Sequence, residues 1–196
     1  MDKSASDLNR IQRRDLLQVM AMGVLSSYVP VSAYANAMGK GLLHSVEPFA
    51  LVDVQLLEGP FKTAQQLDEK YLLSLDADRL LHNFRVNAGL KPKAPVYGGW
   101  ESQEPWVDIR CHGHTLGHYL SACAMMLAST GNEQLRRRVD YIVAELAACQ
   151  RASGSGMVTA FPDGTTQLEN SLTGKQIVGV PWYTTHKVLA GLRDAH

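Results

Sequence analysis

From Cys111 to Asn132 the chain carries no Asp, Glu, Lys or Arg, while Leu116, Leu120, Cys123 and Leu127 recur at helical spacing. At about 100° per residue these four share one face, and His114, His118, Ser121, Ala122, Met125 and Ser129 fall on the other. A helix without a charged side is expected to be enclosed all round. One face then packs against a neighbouring helix, and the other looks into an interior polar enough to need imidazoles. The sequence around this stretch has no β/α alternation of the kind that builds a parallel sheet. Layered helices are the expectation.

The neighbouring segments extend that pattern. Gly59-Pro60 opens a helix, because proline suits the first turn, and Phe61, Ala64, Leu67, Tyr71 and Leu72 follow at helical spacing before Asp76-Ala77-Asp78 interrupts it. Residues 86–110 are rich in Gly and Pro and hold Trp100 and Trp106, so a long aromatic loop is expected there, a class more often functional than idle. Thr130-Gly131 ends the histidine helix, and Asn132 caps a helix from Glu133 to about Gln150. In it Leu135, Val139, Ile142, Leu146 and Cys149 form one apolar face, with Arg136, Arg137, Arg138 and Glu145 in solvent. The two helices make an antiparallel hairpin. Residues 151–181 read as loop, and a last helix begins near Trp182. The expected fold is all-α: an incomplete α/α barrel, with residues 1–35 as a signal peptide, 36–58 as an extended lead-in and 59–196 as the truncated barrel.

Composition narrows the function by exclusion. Lys+Arg and Asp+Glu balance at 19 each, so no global field points to nucleic acid. Three well-separated cysteines without a C-x-x-C give neither a thiolate zinc site nor a disulfide framework, and Cys123 and Cys149 read as buried thiols. Near the start, Arg13-Arg14 precedes an uncharged segment interrupted by Gln18, Gly23, Ser26 and Ser27, which falls short of the ~20 apolar residues a spanning helix needs. Ala33-Tyr34-Ala35 offers a small-x-small cleavage pattern, so a twin-arginine-type leader and a periplasmic or secreted destination are expected, with no stable membrane insertion afterwards.

His114 and His118, four apart, share a face of their helix. Periodicity leaves three readings, in the order substrate contact, structural pair and metal ligands. No glutamate completes an H-E-x-x-H, which excludes a zincin, and a third ligand, such as His112, would have to be found. Tyr97-Gly98-Gly99-Trp100-Glu101 places an indole beside a carboxylate, and Pro181-Trp182-Tyr183-Thr184-Thr185-His186-Lys187 starts the last helix with aromatics and a histidine. Indoles suit the flat apolar faces of sugars, although a loop tryptophan is as readily a packing anchor. Glu101, Glu104 and Asp108 are carboxylates in reach of the same loop, but their spacing does not mark a general acid and base. No nucleophile signature, P-loop or dinucleotide fingerprint occurs.

The blocks EGPFKTAQQLDEKYLLSLDADRLLHNFRVNAGL, YGGWE, GHTLGHYLSACAMMLASTGN, RRRVDYIVAELAACQ and VPWYTTHKVLAGLRDA resemble the N-terminal part of glycoside hydrolase families 127 and 146, the β-L-arabinofuranosidases. The likeness runs from about Glu47 onward and departs from the family pattern over 154–176. It implies an (α/α)6 barrel and a retaining enzyme removing non-reducing-end β-L-arabinofuranose from plant-type glycans. It also implies a zinc-bound cysteine thiolate as nucleophile and a glutamate acid/base, elements expected beyond residue 196. None of Cys111, Cys123 or Cys149 lies in a matching cysteine cluster, so no catalytic residue and no zinc are expected in this chain. Asn83, Trp100, His114, His118 and His186 fall in blocks expected to line the sugar pocket, with an arabinose-containing oligosaccharide or glycan as partner. Two other expectations stay open: a non-catalytic carbohydrate- or metal-binding helical module, and a partial barrel that folds poorly.

Overall fold

The structure is a computed structural model, and it describes residues 47–102, 110–177 and 179–196. The chain divides into two compact units, Met1–Pro48 and Phe49–His196, and the helices of the described residues belong to the second. The leader, residues 36–46 of the lead-in and the loop residues Glu104, Trp106 and Asp108 lie outside the described residues. Among the described residues there are six α-helices and no strand.

Helix α1 spans Pro60–Ser74 and α2 spans Ala77–Asn87, separated where Asp76 turns its side chain back to accept the Asp78 N–H at 2.9 Å. Helix α3 is His114–Thr130, and α4 is Glu133–Ser153, capped by Asn132 Oδ1 accepting from Gln134 N at 2.7 Å. Helix α5, Gly164–Leu172, and α6, Pro181–Asp194, complete the unit. Two expectations change here. Helix α2 was hidden behind the Asp-Ala-Asp break, and α5 interrupts what the glycines and Pro162 suggested was unbroken loop.

The apolar face of α4 is as expected: Leu135, Val139, Ile142, Leu146 and Cys149 are all buried. They pack with Leu80, Leu81 and Phe84 of α2 and with Leu116, Leu120 and Cys123 of α3 in one core. Each such aliphatic side chain contributes roughly 1.5–3 kcal/mol when fully buried. The three cysteines are free and buried. Among the described residues, no helix is long and apolar enough to cross a membrane.

Contact order along the helices fixes their directions. Tyr119 Oη donates to Leu72 O at 2.7 Å while Gln65 Nε2 reaches Ser129 Oγ at 3.5 Å, so α1 runs antiparallel to α3. His114 lies by Tyr183, Gly117 by Lys187 and Val188, and Ser121 by Asp194, so α6 runs parallel to α3. Helix α6 thus packs its Val188–Gly191 face on the earlier α3. The approach is close because both helices present glycine. A Cβ at Gly117 would stand 2.4 Å from the Lys187 carbonyl, and one at Gly191 2.5 Å from the Gly117 carbonyl oxygen. Parallel α3 and α6, joined through the antiparallel α4, give the alternation that a two-layered helical ring repeats.

One expectation about α3 is corrected. It is not enclosed all round: His118 and Met125 are exposed in this unit, and Phe61 and Tyr71 of α1 are exposed as well. Lack of charge reports the absence of a strongly solvated face, which is a weaker condition than burial.

Candidate functional site

The site forms where three segments meet at the N-terminal end of α3. The first is the loop after α2, held down by donors along α2. Arg85 Nε donates to Lys91 O (2.9 Å), His82 Nδ1 to Ala94 O (2.7 Å), and Arg79 Nε to Pro95 O (3.2 Å). The Arg79 guanidinium also covers the Tyr97 ring at 3.9 Å. This fixes the path into a short 3-10 turn, Gly99–Glu101, which delivers Trp100 and Glu101.

Glu101 is the centre of the arrangement. It is 4% exposed, its Oε2 accepts from Gly113 N at 2.8 Å, and its Oε1 accepts from Thr115 N at 3.2 Å. These are among the backbone donors that the start of a helix leaves unpaired, and the helix dipole favours the carboxylate there. Its backbone carbonyl takes a hydrogen bond from Asn83 Nδ2 at 2.6 Å. Gly113 can enter this turn because its φ of 92° suits glycine. A Cβ there would also meet the Phe84 ring at 2.7 Å.

Above this base the rings gather. His114 is buried, with Nδ1 2.9 Å from Cys111 O and 3.6 Å from Glu101 Oε1. Its ring centroid is 5.1 Å from that of Trp100, 5.9 Å from His118 and 6.0 Å from Tyr183. Trp100 is 59% exposed, so one indole face is open to a ligand. The Lys187 ammonium lies 5.1 Å over the Tyr183 ring. Local desolvation lowers the pKa of His118, and the neighbouring Lys187 and His114 lower it further, so the imidazole is neutral at pH 7. A cleft of about 490 Å3 opens beside Trp100, Glu101 and Thr115, walled by Tyr71, Leu80 and Tyr97.

Of the five residues singled out from sequence, the structure brings Trp100, His114 and His118 together. Asn83 sits beneath them with its amide engaged on Glu101. His186 is exposed on α6, three residues from Tyr183, and it makes no ring contact with the cluster among the described residues. Tyr183 and the structural part of Glu101 were missed. Tyr183 could have been found from its place one turn before Lys187, but the grip of Glu101 on a helix that starts beyond the loop leaves no local signal.

His112 takes no part in the cluster. It is 2% exposed, its ring stands edge-on to Phe161 at 5.4 Å, and neither ring nitrogen has a hydrogen-bond partner. Burial lowers its pKa against the opposing pull of Glu101, with Arg110 adding to the lowering. The thiols of Cys111, Cys123 and Cys149 are all pushed up in pKa, chiefly by burial, which keeps them protonated and poorly nucleophilic.

An indole face, two imidazoles, a tyrosine and a cleft make a site suited to a small polyhydroxylated ligand. No curated protein matches the chain. Residues 53–196 match the family model described as beta-L-arabinofuranosidase, GH127 catalytic domain, which covers the six helices and every residue of the cluster. By that match the chain belongs to the GH127 β-L-arabinofuranosidase catalytic-domain family, and with it to the glycoside hydrolases.

Proposed function

We propose that this chain supplies sugar-holding walls for a retaining β-L-arabinofuranosidase that removes non-reducing-end β-L-arabinofuranose from plant-type glycans. The observation that carries the reading is the ring cluster at the start of α3: Trp100 and Tyr183 flank His114, and His118 follows it. A furanose has one less polar face for the indole and hydroxyls for imidazole nitrogens. His186, on the same open side of α6, is placed to meet the part of the glycan beyond the terminal sugar. The leader motif around Arg13-Arg14 and Ala33-Tyr34-Ala35 supports export to the periplasm or beyond, where such glycans are met. The (α/α)6 barrel stays part of the proposal, supported by the parallel α3–α6 pair.

The family implies a zinc-bound cysteine thiolate. Among the described residues, no three His, Cys, Asp or Glu side chains converge closely enough to hold a metal, and the three thiols are buried and protonated. The donors among the described residues do not fit zinc, and no catalytic step is assigned to them. The metal-module alternative fares no better, since His112 faces Phe161 while His114 and His118 face each other.

The test is calorimetry of the purified 196-residue chain with L-arabinose, alongside an assay with a chromogenic β-L-arabinofuranoside. Binding without turnover is the expected result. Turnover overturns the assignment of the reacting groups elsewhere, and absence of any sugar binding overturns the pocket. Stoichiometric zinc by elemental analysis would favour the metal module instead.

A further inference from the structure

We infer that Glu101 is a positioning residue: by holding the first turn of α3 it keeps the Cys111 carbonyl against His114 Nδ1, which favours the Nδ1–H tautomer and leaves Nε2 as a hydrogen-bond acceptor beside Trp100. The argument starts from donor and acceptor chemistry. The His114 Nδ1 atom has two neighbours, the Cys111 carbonyl at 2.9 Å and Glu101 Oε1 at 3.6 Å. The Cys111 carbonyl is at hydrogen-bond distance and can only accept, so Nδ1 carries the proton, while Glu101 Oε1 lies beyond hydrogen-bond range. In the neutral ring Nε2 is then left with its lone pair.

The carboxylate is itself held without freedom. Oε2 is fixed by Gly113 N, Oε1 by Thr115 N, and the backbone of Glu101 by the Asn83 amide. Glu101 therefore ties α2, the indole turn and the first turn of α3 into one unit. The Trp100–His114 spacing of 5.1 Å follows from that tie, since both rings are carried by backbone that Glu101 joins. Charged groups near the ring row are Glu101 itself and Lys187, with Arg110 next to the His112 side of the turn.

The consequence concerns ligand class, and this part rests on the carbohydrate reading. An acceptor nitrogen next to an indole face selects a ligand that donates there, which means a hydroxyl on a neutral sugar. A buried carboxylate already occupies the positive end of α3, so that end is closed to a carboxylated or phosphorylated sugar. Neutral pentose is the expected ligand, and a uronic acid is not.

Nitrogen-15 NMR of the histidine rings tests the tautomer directly. In the wild-type chain the His114 Nδ1 resonance should be of the protonated, pyrrole type and Nε2 of the unprotonated type. The reverse assignment overturns the proposal without any variant. In Glu101→Gln the amide must turn a donor toward one of the helix N–H groups, which loosens the turn that carries the Cys111 carbonyl, so the Nδ1–H form should lose its dominance, and L-arabinose affinity should fall about tenfold. Asn132→Ala is the control, because it also removes a helix cap but touches no ring. It should lower the melting temperature yet leave the His114 shifts unchanged. Equal movement of the His114 signals in both variants, or none in a folded Glu101→Gln, contradicts the assignment. The tautomer can hold while arabinose fails to bind, which would sink the carbohydrate reading alone.

Discussion

Helices α3 and α4 start within twenty residues of each other and solve the same problem differently. The first N–H groups of α4 are met by Asn132, immediately before the helix, through its bond to Gln134 N. Those of α3 are met by Glu101, from across a loop, through bonds to Gly113 N and Thr115 N. The local cap stabilises its own helix and ties it to α1, since Asn132 Nδ2 also donates to Glu69 Oε1 at 2.8 Å, but it touches no ring. The distant cap is buried, carries charge, and fixes an indole and an imidazole relative to one another. Where a helix end is served by a far segment, stabilising the fold and building the site are one interaction.

That contrast can be broken most forcefully beneath the α3 turn. Phe84 is fully buried and packs under Gly113, so Phe84→Ala should cost about 3–5 kcal/mol in urea unfolding. Gly117→Val, which forces a side chain into the Lys187 backbone, should cost about 1–3 kcal/mol or more and separate α3 from α6. Next in size is Glu101→Gln, which leaves buried helix donors poorly met and should cost about 1–3 kcal/mol. Asn132→Ala should cost only about 1 kcal/mol, because water can reach the exposed start of α4. If the two cap variants lose equal stability, the distinction between the helix starts fails.

A pH series sharpens the same comparison. His112 lies between Cys111 and Gly113, in the turn that leads into α3, and its folded-state pKa is depressed by burial, Glu101 opposing and Arg110 assisting. The unfolded chain therefore takes up the proton first. Stability should be flat above about pH 6.5 and decline as pH falls below it. In His112→Asn that decline should shrink, as measured by melting temperature between pH 7 and pH 5. An unchanged slope would show that other groups carry the acid sensitivity.

What the sequence disclosed follows the range of the interactions. All five apolar positions of α4 and its Asn132 cap could be read in advance, because their causes lie within one helix turn. The hairpin α3–α4 was legible for the same reason. Helix α5 was not, since GTTQLENSL is short, opens on glycine and is rich in weak helix formers. The Gly117–Gly191 crossing and the reach of Glu101 join residues with nothing between them to announce the contact. Trp100, His114 and His118, whose rings the structure draws together, stood out as aromatics and histidines clustered near helix starts. Asn83 entered through the family resemblance alone, and its hydrogen bond to the Glu101 backbone has no local signal.

The smallest expected stability effect belongs to Trp100→Ala, within about 0.5 kcal/mol, because the indole is largely exposed. The same change should weaken sugar binding roughly tenfold, or about 1.4 kcal/mol. The most direct measurement is an amide and indole NMR titration of the wild-type chain with L-arabinose. Saturable shifts should appear at the Trp100 indole N–H, His114, His118 and Tyr183, while Asn132 and Gln134 stay still. Saturation with no movement at Trp100 and His114, or movement confined to other surfaces, would contradict a sugar site at the start of α3.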